Sequence, residues 1–281
     1  MRLLLCTDLD RTLLPNGSQP ESKHARQRFA TLAANPQVCL AYVSGRDRVL
    51  VQKAIKNFQI PLPDYVIADV GSTIYQIVEG EWQHWQLWED EIGQDWQGWH
   101  HRDLHESLKG FRDLRLQQMS KQNTHKLSYY VPLYVKHQTL LENIYAHFAR
   151  HGLQVNLVWS IDEQANIGLL DILPASAGKR HAIEFLMQQL GFSLDETVFA
   201  GDSGNDISVM ESPIHSVLVA NANKDVKQQA IQHAAANEQL NSLYIAQGNY
   251  LGMNGNYSAG ILEGVAHYLP QLESWFGDDD A

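Results

Sequence analysis

Apolar runs and amphipathic stretches alternate along this chain from its first residues. Leu3-Leu4-Leu5-Cys6 begins a strand over 3–8; a helical pattern follows over about 22–34, then a strand over 38–43, a helix over about 46–57 and a strand over 65–69. Strands separated by helices on short connections predict a parallel sheet covered on its faces. The rhythm returns late, with helix 179–190, strand 196–200, helix 205–211, strand 215–220, helix 224–235 and a closing helix over 259–268. Between them, over 83–173, come a tryptophan-rich helical stretch, the run Lys126–Val131, a helix near 137–151, and two further runs, Val155–Trp159 and Leu169–Leu173. That order predicts an α+β module inserted into the parallel α/β domain. Residues 1–82 with 174–281 are expected to form one domain and 83–173 the other, ending in a frayed acidic tail at Gly277–Ala281.

Composition narrows the setting. The 281 residues are 44% hydrophobic and 19% charged, ordinary for a soluble globular protein of one or two domains. No run reaches the length of a membrane span, and Met1-Arg2 with three leucines is too short for a signal peptide. Both cysteines, Cys6 and Cys39, fall in predicted strands, which suits reduced thiols in a cytoplasmic protein. A net charge of -11 argues against nucleic acid or an anionic membrane as the main partner. It leaves a phosphate ester open, because a few cations and one metal ion make a local positive pocket in an acidic protein. A monomer acting on a small molecule is the expectation.

The first strand ends in Asp8-Leu9-Asp10-Arg11-Thr12. Side chains at i and i+2 share a strand face, so two carboxylates repel each other there unless something offsets the charge. A divalent cation would, and the pair then reads as a metal-bound aspartate nucleophile beside an acid and base. The alternative is a turn followed by a cap. Ser44-Gly45-Arg46 follows the second strand, where a hydroxyl and backbone N–H groups suit phosphate oxygens, though Ser-Gly is also common turn chemistry. Lys179 opens a helix, where the helix dipole disfavours a cation; an anionic partner or plain solvation explains it equally. Gly201-Asp202-Ser203-Gly204-Asn205-Asp206 follows an apolar strand, so Asp202 projects from the strand tip and Asp206 from the next helical turn.

In this order the four segments resemble the haloacid dehalogenase superfamily of phosphatases, whose pattern is DxDxT, then Ser or Thr, then Lys, then GDxxxD. The 83–173 insertion looks like the cap carried by its sugar phosphatases. Asp69–Tyr75, His125–Tyr129, Leu170–Pro174 and Ser258–His267 are similar to the sucrose-phosphate phosphatase branch. The resemblance implies a Mg2+-dependent phosphatase with Asp8 as nucleophile, Asp10 as acid and base, and Thr12 orienting the Asp10 loop. Ser44 and Lys179 would take the phosphoryl oxygens, with Gly45 and Asn205 beside them. Mg2+ would be held by Asp8, the Asp10 carbonyl, Asp202 and Asp206. Sucrose 6-phosphate is the leading substrate; mannosylfructose phosphate, trehalose 6-phosphate and hexose phosphates are alternatives. So are a phosphomutase or phosphotransferase, and a partner of a sugar-phosphate synthase, with or without catalysis of its own.

Sugar recognition is expected from Lys126 and Asp171 in the cap, with Ser72 and Arg46 at the domain interface. Trp82, Trp85, Trp88, Trp96 and Trp99 could stack on sugar rings, but core packing is favoured. His100, His101 and His105 lack spaced partners and read as solvated rather than metal-binding. The glycines at 248, 252, 255 and 260 lack GxGxxG and read as a long flexible loop.

Overall fold

The computed structural model describes residues 2–162 and 165–277; the acidic run 278–281 lies outside them. Its first half runs β1 (Leu3–Thr7), α1 (Ala25–Ala33), β2 (Val38–Val43), α2 (Arg48–Phe58), β3 (Tyr65–Ala68), β4 (Thr73–Val78), β5 (Glu81–His84), α3 (Gln86–Gly93) and α4 (His101–Ser107). Then come β6 (Arg115–Leu116), β7 (Leu127–Val131), α5 (His137–Arg150), β8 (Val155–Asp162), β9 (Ile167–Pro174), α6 (Lys179–Leu190), β10 (Thr197–Gly201), α7 (Ile207–Met210), β11 (His215–Leu218), α8 (Lys224–Ala236), β12 (Leu243–Ile245) and α9 (Ser258–Tyr268).

Eight strands form one sheet in the order β12-β11-β10-β1-β2-β3-β4-β5, parallel from β12 to β3 and antiparallel beyond. Leu3, Leu4, Leu5 and Cys6 are all fully buried, as a central strand covered on both faces requires. The β4–β5 hairpin extends the sheet past the parallel pattern. Its turn, Glu79-Gly80, has φ of 52° and 84°, as a two-residue hairpin turn with both central residues left-handed requires. The expected domain break after residue 82 therefore falls inside β5, and Trp88 and Ile92 of α3 pack into the same core as Leu4 and Cys6.

The second sheet is antiparallel, in the order β6-β7-β9-β8. One face packs Leu127, Tyr129, Leu170 and Ile172 against Leu104, Ile144 and Phe148 of α4 and α5. Strand alternation sends Ser128 and Asp171, directly paired across β7 and β9, to the opposite face.

The glycine-rich stretch before α9 is tied down rather than loose. The buried Glu263 accepts hydrogen bonds from Gln247 N (2.8 Å), Gly248 N (3.0 Å) and the Tyr244 hydroxyl (2.8 Å). A Cβ on Gly264 would lie 2.1 Å from Val217, so glycine here lets α9 pack directly on β11.

Candidate active site

Three adjacent strands, β10, β1 and β2, deliver the site. Thr7 pairs with Ala200 and Tyr42, so the chain leaves all three carboxyl ends at one level. Asp8 N donates to Ala200 O at 2.8 Å, setting Asp8 beside the turn that carries Asp202. Ligands of open α/β sheets bind at this edge.

Lys179 lies at the centre. Its Nζ is 2.8 Å from Asp8 Oδ1, 2.6 Å from Asp206 Oδ1 and 3.0 Å from Asn205 Oδ1, and it is 2% exposed. Burial works against its charge, yet Asp206 and Asp8 together hold its pKa above the ordinary lysine value. The helix-dipole mismatch is resolved by the two carboxylates. Burial lifts Asp8 to about 7, with Lys179 opposing and Asp206 and Asp202 adding to the rise. Burial likewise lifts Asp202 to about 6, helped by Asp206 and resisted by Arg11, Lys179 and Thr12.

Asp8, Asp202 and Asp206 place one carboxylate oxygen each within 4.8 Å of one another. Three buried hard oxygen donors, with Asp8 and Asp202 raised by burial and by the neighbouring Asp206, fit a small divalent cation. They do not fit it equally. Asp206 Oδ2 already accepts from Asp202 N, Ser203 N and Ser203 Oγ, while its Oδ1 meets Lys179. The Thr12 hydroxyl lies 3.5 Å from Asp8 Oδ2 and 3.4 Å from Asp202 Oδ1, beyond ordinary O–H···O length, so those two oxygens have capacity to ligate.

Asp10 stands apart from this cluster. Arg46 donates to both its oxygens, Nε to Oδ2 at 2.7 Å and Nη2 to Oδ1 at 2.5 Å, and Asn16 Nδ2 adds 2.7 Å. Burial pushes the Asp10 pKa up, but Arg46 and Asn16 more than offset it, leaving the carboxyl below its ordinary value. Arg46 thus serves Asp10 rather than the domain interface expected of it. Ser44 is 1% exposed, and its Oγ accepts from Arg46 N at 3.2 Å, a compact turn beside Asp10.

Two cavities meet here. The smaller, about 320 Å³, is lined by Asp8, Asp10, Arg11, Arg46, Asp202 and Asn205 among others. The larger, about 710 Å³, lies between the two sheets, with Gln117, Lys121, Lys126 and Asp171 on the cap side and Val70 on the core side. Gly45, Ser203 and Asn205 line both. Lys126 is buried, its Nζ 3.6 Å from Asp69 and 3.8 Å from Asp171, and Asp171 Oδ1 accepts from Ser128 Oγ at 2.5 Å.

Ser72 does not line either cavity. It is buried in the seam between the sheets, donating to Asp69 O (3.0 Å) and accepting from Asn123 Nδ2 (3.1 Å). Trp82, Trp85, Trp88, Trp96 and Trp99 also stay out of both cavities, whereas Trp159 lines the larger one; Trp88 and Trp96 are fully buried, and Trp88 Nε1 donates to Gly71 O at 3.0 Å. His105 Nδ1 pairs with the Tyr129 hydroxyl at 2.8 Å, and the aspartate trio is the one metal-capable cluster among the described residues.

Sequence reasoning missed Asn16, Arg11, Lys121 and Asn123. Arg11 Nε lies 3.4 Å from Asp202, and Lys121 Nζ is 3.2 Å from Asp47, across the seam. Arg11 and Asn16 stand within six residues of Asp10, a signal that could have been used; the other two depend on how the cap approaches the core.

Comparison with known proteins decides the family. The model of the sucrose-6F-phosphate phosphohydrolases matches residues 1–269. The chain belongs to that family. A protein of Nitrosococcus oceani described at the level of a HAD-like hydrolase is 48% identical over 98% of this chain and 74% of its own length. Sucrose-phosphatase 2 of Nicotiana tabacum is 28% identical over 95% of this chain, which spans 59% of that relative's length. Among solved structures, the sucrose-phosphatase of Synechocystis sp. PCC6803, determined with sucrose and phosphate, superposes with a TM-score of 0.71 at 27% identity, covering 95% of this chain and 98% of that one. The family member described here is a phosphoric monoester hydrolase of haloacid dehalogenase-like fold.

Proposed function

We propose that this protein hydrolyses a disaccharide phosphate, sucrose 6-phosphate foremost, to the free sugar and phosphate. One observation carries the reading: the aspartate cavity shares Gly45, Ser203 and Asn205 with a larger cavity whose walls mix Gln117, Lys126 and Asp171 with Leu157, Trp159 and Leu169. A phosphate is small and a disaccharide is not, and two joined chambers of 320 and 710 Å³ suit an ester of the two. Membership in the sucrose-6F-phosphate phosphohydrolases favours the same substrate.

Asp8 attacks phosphorus in line, forming the Asp8 Oδ–P bond as the P–O bond to the sugar breaks. Asp10 gives its proton to the departing sugar oxygen. Water then attacks the aspartyl-phosphate, its proton passes to Asp10, and phosphate leaves with Asp8 regenerated. Lys179 holds Asp8 in place and, with Ser44, balances phosphoryl charge. Mg2+, held by Asp8 and Asp202 with Asp206 behind them, would neutralise phosphoryl charge and fix alignment.

The test is phosphate release, with Mg2+, across sucrose 6-phosphate, trehalose 6-phosphate, mannosylfructose phosphate and simple hexose phosphates. Sucrose 6-phosphate should give the highest kcat/KM. Equal values across the panel would remove the disaccharide assignment, and transfer to a sugar instead of water would indicate a phosphotransferase.

A further inference from the structure

The loop between β3 and β4 carries three successive residues in the left-handed region: Asp69 (φ 53°), Val70 (φ 62°) and Gly71 (φ 92°). Glycine belongs there and aspartate tolerates it, but a β-branched residue is a genuine outlier. Such strain persists only where the surroundings hold it. Here they do. Asp69 N donates to Arg46 O (3.0 Å), Val70 N to Ser44 O (3.3 Å), and Trp88 Nε1 to Gly71 O (3.0 Å). On the other side a Cβ at Gly71 would lie 2.4 Å from the Gly178 backbone, so the loop cannot shift toward α6.

An asparagine or glycine at 70 would adopt this backbone at less cost. The chain keeps valine, and the isopropyl group lines the large cavity at the junction of the two chambers, with Cγ2 3.9 Å from where a Cβ on Gly45 would stand. At that junction it is the apolar side chain next to the shared residues, of which Ser203 and Asn205 are polar and Gly45 has no side chain; Leu50 lines the smaller cavity, and Leu157, Val158, Trp159 and Leu169 line the larger one from the second sheet. An ester reaching from Asp8 to Lys126 must pass it.

We propose that Val70 is a specificity-determining residue, pressing on the apolar C–H face of the sugar unit that bears the phosphate. This rests on the sugar-phosphate reading above. The phosphate would be held by the core, the hydroxyls by the cap, and the carbon skeleton by a valine kept in a strained backbone for that contact.

The test compares wild type with Val70→Asn and Val70→Gly in two assays, kcat/KM on the sugar phosphate that the wild type turns over best and kcat/KM on p-nitrophenyl phosphate, together with thermal melting. The expected result is a loss of about ten- to a hundredfold on the sugar phosphate, mainly in KM, as for removal of methyl groups from a specificity pocket. p-Nitrophenyl phosphate turnover should stay within about twofold of wild type on the same reasoning, and the Tm of Val70→Asn should hold or rise as strain is relieved. Equal losses on both substrates would overturn the proposal, since Val70 would then support the Ser44–Arg46 turn. So would a lower Tm with selectivity unchanged, which would make the valine a packing residue. A wild-type enzyme that hydrolyses p-nitrophenyl phosphate but no sugar phosphate would instead overturn the functional reading, and the Val70 assignment with it.

Discussion

Arg46 grips both carboxylate oxygens of Asp10, which under the proposed mechanism would carry a proton to the leaving group. Charge-assisted bidentate pairing favours the ionised carboxylate. Asp10 is therefore held in its ionised form, which under the proposed mechanism suits the water step, and the first step would require the guanidinium to yield. Replacing Arg46 with alanine leaves burial to push the Asp10 pKa upward. The basic limb of the kcat/KM profile should then move to higher pH, because Asp10 keeps its proton longer. A limb that stays in place in Arg46→Ala would show that Asp10 is not the group titrating there.

Among the described residues, Lys179 is the one cation that pairs with Asp8 and Asp206, and all three are buried. Removing one partner from a buried ion network leaves uncompensated charge, at a cost of about 3–5 kcal/mol. Lys179→Met should lose turnover and lower the urea midpoint in metal-free buffer. A midpoint equal to wild type would mean that the network contributes little to folding.

Metal-free protein should lose stability as pH rises. Asp8 and Asp202 have pKa values of about 7 and about 6 when folded, against an ordinary 3.8, so between roughly pH 4 and 7 the folded state holds protons that the unfolded chain has released. More protons bound in the native state means stability falls with increasing pH across that window. Melting with a chelator at pH 5 and pH 8 should show the drop, and Mg2+ should reduce it at pH 8. A Tm at pH 8 that ignores Mg2+ would argue against ligation by these carboxylates.

Lys126 stands between Asp69 and Asp171 at 3.6 and 3.8 Å, longer than direct hydrogen bonds, with its ammonium on the large cavity. Under the proposed function its donors would meet sugar hydroxyls. Lys126→Ala should raise KM for the sugar phosphate by about tenfold or more, the scale of a hydrogen bond to a charged group. An unchanged KM would remove Lys126 from substrate recognition.

The gathering of these carboxylates was readable in the chain because it is local: Asp8 and Asp10, Asp202 and Asp206 each sit within five residues of a strand end, and parallel pairing brings the strand ends together. The α/β sheet followed from the same periodicity. What stayed hidden depends on approach between distant segments. Lys121 meets Asp47 and Asn123 meets Ser72 only because the cap lies on the core. Val70 was hidden for another reason: its backbone conformation is imposed by Ser44, Trp88 and Gly178, and a valine in sequence predicts strand. The β4–β5 hairpin did carry a local signal in Glu79-Gly80, which the tryptophans beyond it obscured.

The central claim is that Asp8 is the nucleophile, and replacing it with asparagine tests it most directly. Purified Asp8→Asn protein, assayed for phosphate release from sucrose 6-phosphate with Mg2+ beside wild type, should release none while its circular dichroism and melting match the folded enzyme. Hydrolysis by folded Asp8→Asn at a rate approaching wild type would contradict the account.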